Sequence, residues 1–280
     1  MSLRLALIVL SLTVAPLALT GCSENPVTGE RQLMLISREE EIALGEQSAP
    51  EFEDQFGGRV WDETLQAYVR EIGGKIAAQS DRQDVDYEFA LLSSDVPNAF
   101  ALPGGKVYVT AGLLDLMENE RQLAAVLGHE TTHVAALHNV QGLQRQMGAE
   151  LLAELAAAAI GEEKGEVAKV AAQVTAGMVN LRYSRQAEYE ADQYGIEYMH
   201  RAGYNPWGMV GLLKQLKTLS ESEPGRLGEM FQTHPLTSNR IEHAEEIIEE
   251  QYPAADRNEA PPNMGRWENM QARLRSYLKK

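Results

Sequence analysis

The stretch NERQLAAVLGHETTHVAALHNV, residues 119–140, joins a helical pattern to a reactive pentapeptide, and the fold is read from it. No proline interrupts it, and Leu123, Val126, Leu127, Val134 and Leu137 recur at helical spacing behind Asn119, a residue suited to the N-cap. The spacing predicts one helix across the whole stretch. On a helix, His129 and His133 stand four residues apart, so both imidazoles project from nearly the same face, one turn apart. That separation suits two ligands on one zinc ion. Glu130 is rotated to the side of that face, where its carboxylate reaches a metal-bound water without binding the metal. By the same spacing His138, five residues past His133, points away from the ligand face and reads as structural. His-Glu-x-x-His also arises by accident, so a third ligand elsewhere in the chain has to add weight.

Upstream of this helix the periodicity changes. VDYEFALLSS, AFALP and KVYVT within residues 85–110 read as strands, separated by a turn at 95–98 and by Gly104-Gly105. They predict a small, mostly antiparallel sheet beside the motif helix. An open strand edge can hold an extended peptide by strand addition, and Asn98, Ala99, Phe100 and Ala101 are the candidate substrate-binding edge. Earlier still, Ser37 and Glu40 carry the signature of a capping box, opening a helix that runs to about Phe56. A second helix covers roughly 62–79, with Leu65, Tyr68, Val69, Ile72 and Ile76 on one face. Gly73-Gly74 inside it is unfavourable in a helix interior and marks close packing.

Residues 1–21 read as a secretory leader, with Arg4, an apolar run from Leu5 to about Leu19, and small residues before Cys22. The run is short for a membrane span and Pro16 interrupts it. Leu19-Thr20-Gly21-Cys22 resembles a bacterial lipobox, which implies cleavage before Cys22 and its lipidation. Acylation would also account for a lone thiol, since Cys22 is the only cysteine. Ser23 follows rather than Asp, which favours the outer membrane, with the body in the periplasm. Residues 22–36 read as a tether and 37–280 as a single domain. A formal net charge of −16, with no basic stripe, argues against nucleic acid. The acidity speaks to solubility rather than to substrate.

Downstream, helical stretches are expected at about 142–160 and 164–180. Ser184 then caps a helix running to about Ala202, stopped by Gly203 and Pro206. A zinc hydrolase needs three protein ligands and one open position, and Glu188 on this helix is the candidate third ligand. Asp192, one turn on, can accept a hydrogen bond from the far nitrogen of a ligand histidine, His129 first. Spacing alone equally allows Glu188, Glu190 and Asp192 to be an ordinary solvated acidic face.

His-Glu-x-x-His, the stretch Ser184-Arg185-x-x-Glu188-Tyr189-x-Ala191-Asp192, and Thr233-His234-Pro235-Leu236-Thr237-x-x-Arg240-Ile241 together resemble metallopeptidase family forty-eight. Asn25-Pro26-Val27-Thr28-Gly29 and the stretch from Asn98 to Gly105 resemble its periplasmic lipoprotein members. The resemblance implies an α+β, predominantly α-helical fold of the gluzincin type and an endopeptidase carrying one Zn2+ per chain. It makes His129, His133 and Glu188 the zinc ligands and Glu130 the general base. His234 and Arg240 match positions close to the metal. They would help hold the carbonyl oxygen, or His234 would fill the open coordination site and keep the enzyme inactive. The implied partners are unfolded or misassembled envelope polypeptides, with membrane contact through a lipid on Cys22. A metal-binding periplasmic chaperone with little proteolysis is the competing expectation.

Overall fold

The computed structural model describes residues 22–160, 164–223 and 225–279; the leader expected at 1–21 lies outside them. A hairpin comes first, β1 (Cys22–Glu24) paired antiparallel with β2 (Arg31–Leu33). The side chain of Asn25 closes the turn by accepting from the Val27 N–H at 2.9 Å, and its amide donates to the Ala136 carbonyl at 3.4 Å. Met34 and Ile36 beyond it are buried. Residues 22–36 therefore do more than tether: Asn-Pro-Val-Thr-Gly supplies a turn, and the flanking residues pair and dock.

Next come α1 (Arg38–Gln55), α2 (Glu63–Ala77), β3 (Glu88–Leu92), β4 (Ala99–Ala101), β5 (Lys106–Thr110) and α3 (Ala111–Leu116). The first of these helices opens on the expected reciprocal box, Ser37 accepting from the Glu40 N–H and Glu40 from the Ser37 N–H. After them run α4 (Glu120–Ala135), α5 (His138–Met147), α6 (Ala149–Ile160), α7 (Lys164–Val179), α8 (Arg185–Arg201), α9 (Trp207–Ser222), α10 (Gly228–Thr233), α11 (Ser238–Gln251) and α12 (Met264–Leu278). No helix among the described residues is long and apolar enough to cross a membrane.

The sheet has the order β3-β5-β4 and is mixed: β5 runs parallel to β3 and antiparallel to β4. Expecting a mostly antiparallel sheet missed that β5 takes the centre. The physical reason is cover on both faces, which parallel pairs require. Phe89, Leu91, Val107 and Val109 join one core with α2 and α4, while Ala90, Leu92, Phe100 and Tyr108 join another with α1, α6 and α7. Successive residues alternate between the two cores, as a pleated strand demands. Gly73 in α2 is the close-packing point expected of it, because a Cβ there would fall 2.3 Å from the Phe89 ring.

Every residue of α4 is buried. It lies among α2, α8, α9 and β4, so its polar side chains need internal partners. Its approach to α8 is backbone to backbone: a Cβ on Gly128 would sit 2.8 Å from the Gly195 carbonyl oxygen, and one on Gly195 would sit 2.9 Å from the His129 nitrogen. Only two glycines allow that contact. It sets the spacing between the pentapeptide and the acidic residues of α8.

The helix expected across 119–140 ends early. Asn119 caps its start by accepting from the Gln122 N–H, but α4 stops at Ala135 and Leu137 adopts φ 61°, a left-handed conformation unusual for a residue with a branched side chain. The chain turns there and starts again as α5. Gly148, at φ 86°, divides α5 from α6 where one helix was expected.

Candidate metal centre

His129 and His133 come from the last turns of α4, Glu188 from the first turn of α8, and His234 from the end of α10. One donor atom of each lies within 4.8 Å of the other three, and all four residues are buried. The Nε2 atoms of His129 and His133 are 3.1 Å apart. His234 Nδ1 is 3.3 Å from His129 Nε2 and 3.1 Å from Glu188 Oε1, which is 3.5 Å from His133 Nε2. A tetrahedral zinc site with bonds of about 2.0–2.1 Å has ligand–ligand edges of about 3.3 Å, so the donor set fits that ion. Two imidazole lone pairs facing each other at 3.1 Å repel unless a cation or proton lies between them.

Glu130 stands beside the cluster. Its Oε1 is 3.7 Å from His234 Nε2, while its Oε2 is buried with no hydrogen-bond partner among the described residues. Such an orphaned oxygen fits a group that accepts a proton from a water. Burial pushes the Glu130 carboxyl above its ordinary range, and His234 and His129 oppose this without cancelling it. Burial also holds His133 well below the usual imidazole range, so the ring is neutral and its lone pair is free. For Glu188, burial works against ionisation, but Arg240 and His234 outweigh it and hold the carboxyl well below the usual carboxylate range. For His234, burial is outweighed by Glu188 and Glu130, which raise the imidazole.

The far side of His129 is held by a carboxylate: Asp192 Oδ1 lies 3.0 Å from its Nδ1. Arg240 clamps Asp192 with two hydrogen bonds of 2.7 Å, from Nε and Nη2, and donates from Nη1 to Glu188 and to the Pro235 carbonyl. Each guanidinium nitrogen thus already has an acceptor. Arg240 is placed to orient the two carboxylates, which differs from the carbonyl-holding role expected of it. Burial resists ionisation of Asp192, and Arg240 and His129 together outweigh it.

Two neighbours were missed in the sequence. His138 Nδ1 lies 3.0 Å from His133 Nδ1, because the turn at Leu137 folds it back towards the site instead of away from it. Tyr183 stacks on the His133 ring with centroids 3.7 Å apart and planes at 16°. A tyrosine directly before the Ser184 cap was the one available signal for it. His200 and His243 lie instead against Tyr252 and Tyr189.

An apolar cavity of about 50 Å³ adjoins the cluster, lined by Val126, Leu213, Met230 and Phe231 together with His129 and Glu130. Ala99 also lines it. Asn98 and Phe100 line a second cavity of about 390 Å³, on the other side of β4. All four residues of the expected docking edge, 98–101, are buried. The edge is partly occupied by its own chain. The Ala99 N–H donates to Asn98 Oδ1 at 3.0 Å, and the Ala101 carbonyl receives the Asn139 amide at 3.4 Å.

Residues 63–248 match the model of Peptidase family M48. Mitochondrial metalloendopeptidase OMA1 of Schizosaccharomyces pombe is 30% identical over 227 residues, 80% of this chain and 66% of its own length. Metalloprotease LoiP of Escherichia coli is 28% identical over 251 residues, covering 87% of this chain and 96% of its own. The β-barrel assembly-enhancing protease of Yersinia pestis is 30% identical over 199 residues, 66% of this chain but 39% of its own.

Proposed function

The chain belongs to peptidase family M48 and is a metalloendopeptidase, and from that premise we propose that His129, His133 and Glu188 hold one zinc ion and that Glu130 is the general base. The observation that carries this is the buried four-donor cluster with the unpartnered Glu130 oxygen beside it. Bound there, zinc would supply a Lewis acid for the peptide carbonyl and a water acidified towards neutrality. Glu130 takes a proton from the attacking water and returns it to the leaving amine, tasks suited to a carboxyl whose proton affinity is raised by burial. Asp192 keeps the proton of His129 on Nδ1, leaving Nε2 free for the ion. Arg240 holds Asp192 and Glu188 ionised and in register.

The substrate we infer is an unfolded or misassembled polypeptide of the cell envelope. Two features support it. The strand edge at Asn98, Ala99, Phe100 and Ala101, which the side chains of Asn98 and Asn139 occupy only in part, would read backbone, which only an extended chain offers. The apolar cavity beside Glu130 takes an aliphatic side chain of the kind that folded proteins bury. The lipobox at Cys22 supports a lipoprotein anchored to the outer membrane and facing the periplasm. Removing zinc with a chelator should abolish cleavage of an unfolded protein, and restoring zinc should return it, with the folded form of the same protein resistant. Equal cleavage of both forms would overturn the substrate assignment.

A second reading has its own observation. His234 Nδ1 completes a four-donor cage, so it competes with water for the open position and the resting enzyme is latent, as a metal-holding chaperone would also be. His234→Ala then cleaves faster than the wild type at equal zinc content; slower cleavage would give His234 the carbonyl-holding role instead.

A further inference from the structure

Resting on the metal-ligand reading above, we propose that His138 and Glu190 are positioning residues: a relay that fixes the tautomer and orientation of His133 and so sets how tightly the centre holds its metal. His138 Nδ1 is 3.0 Å from His133 Nδ1, and His138 Nε2 is 3.0 Å from Glu190 Oε2. The other oxygen of Glu190 accepts from the Gln186 amide at 2.8 Å. His133 turns its remaining nitrogen, Nε2, to the donor cluster.

Only one set of protons satisfies this chain of contacts. A nitrogen that offers its lone pair to a cation leaves the ring proton on the other nitrogen, so His133 carries it on Nδ1. His133 Nδ1–H then donates to His138 Nδ1, which must be bare. The proton of His138 therefore sits on Nε2 and donates to the Glu190 carboxylate. Either alternative on His138 fails: a proton on Nδ1 would put two donors face to face at 3.0 Å, and a bare Nε2 would face the carboxylate with a lone pair. Tyr183 stacked on one face of His133 blocks ring rotation out of its plane. The hydrogen bond from Nδ1 fixes the remaining rotation.

The backbone is shaped for this contact. Had α4 continued, His138 would have pointed about 140° away from His133, at 100° per residue. The left-handed turn at Leu137 brings it back, and α5 starts on His138 itself. His138 is 4% exposed, so its polar ring is enclosed by the protein on the side of the site.

The test uses the full chain loaded with zinc and a chelator of known affinity as competitor. His138→Leu, which fills the space but accepts nothing, should weaken zinc binding 10–100-fold, the usual cost of losing a partner behind a metal ligand. His138→Asn places an amide oxygen near the lost Nδ1 and should stay within a few-fold of wild type. With Co2+ in place of zinc, the visible spectrum should change in His138→Leu and hold in His138→Asn. Wild-type affinity in His138→Leu would overturn the proposal. So would equal losses in both variants, which would mean that the residue only fills space. Should His138→Leu fail to fold, Glu190→Ala carries the test, with weaker zinc binding expected and unchanged binding overturning it. A wild-type chain that takes up no zinc would instead overturn the metal-site reading on which the relay stands.

Discussion

The two histidines of the pentapeptide are braced in opposite ways. His129 leans directly on a carboxylate, and that carboxylate is clamped by a buried arginine. His133 leans on a second imidazole, which reaches its carboxylate one step further out, on the half-buried Glu190. The first brace is ionic and sealed: Arg240 and Asp192 are 5% and 0% exposed. The second is built from a ring-to-ring hydrogen bond, a hydrogen bond to the half-buried Glu190 carboxylate and an aromatic stack. The difference teaches that stability and metal geometry are divided between them. Removing a charge from the first leaves other charges uncompensated in the interior, whereas removing the second misaligns a ligand without stranding a charge.

Arg240→Met should therefore have the largest effect. It leaves Glu188 and Asp192 buried without their cation, a loss of roughly 3–5 kcal/mol by denaturant unfolding. The same measurement on Glu190→Ala should move far less. Comparable losses in the two variants would erase the contrast between the braces.

This contrast also explains what the sequence disclosed. Of the His129 brace, the Asp192 contact was legible because Asp192 stands one turn beyond Glu188 on its helix, whereas the Arg240 clamp was not, since the resemblance placed Arg240 at the carbonyl oxygen. The His133 brace was not legible. It depends on Leu137 in a left-handed conformation, and leucine carries no signal for that turn. With the helix drawn straight through 140, His138 pointed the wrong way. The strands were read closely, KVYVT to the residue, because β-branched and aromatic residues fill short runs bounded by turn residues. Their order was not, since pairing is decided by which helices cover each face. The hairpin at 22–36 was missed for a related reason: each of its strands is three residues long, too short to show a period.

A smaller effect is expected where both braces meet the fold. Gly195→Ala would push a Cβ to 2.9 Å from the His129 nitrogen, and the overpacking should cost about 1–3 kcal/mol with weaker zinc binding alongside. Gly74→Ala, where nothing lies within 4 Å, is the control and should not weaken binding.

The smallest signal is in the pH dependence of the metal-free chain. Arg240 holds the Glu188 and Asp192 carboxyls below their ordinary values, so the stability they contribute is present in full above about pH 4–5, where both ionise in the unfolded chain. It declines as pH falls from there through the lower folded-state values. Acid unfolding followed by circular dichroism should show this slope in the wild type and a shallower one in Arg240→Met. Identical slopes would remove the arginine as the cause.

Most directly at issue is whether Glu130 moves the proton while His129, His133 and Glu188 hold the metal. The measurement is cleavage of an unfolded protein by the wild type and by Glu130→Gln, with zinc quantified in both. The expected result is one zinc per chain in each and a rate lower by on the order of 10²–10⁴-fold in the variant. Full activity in Glu130→Gln at equal zinc would contradict the assignment.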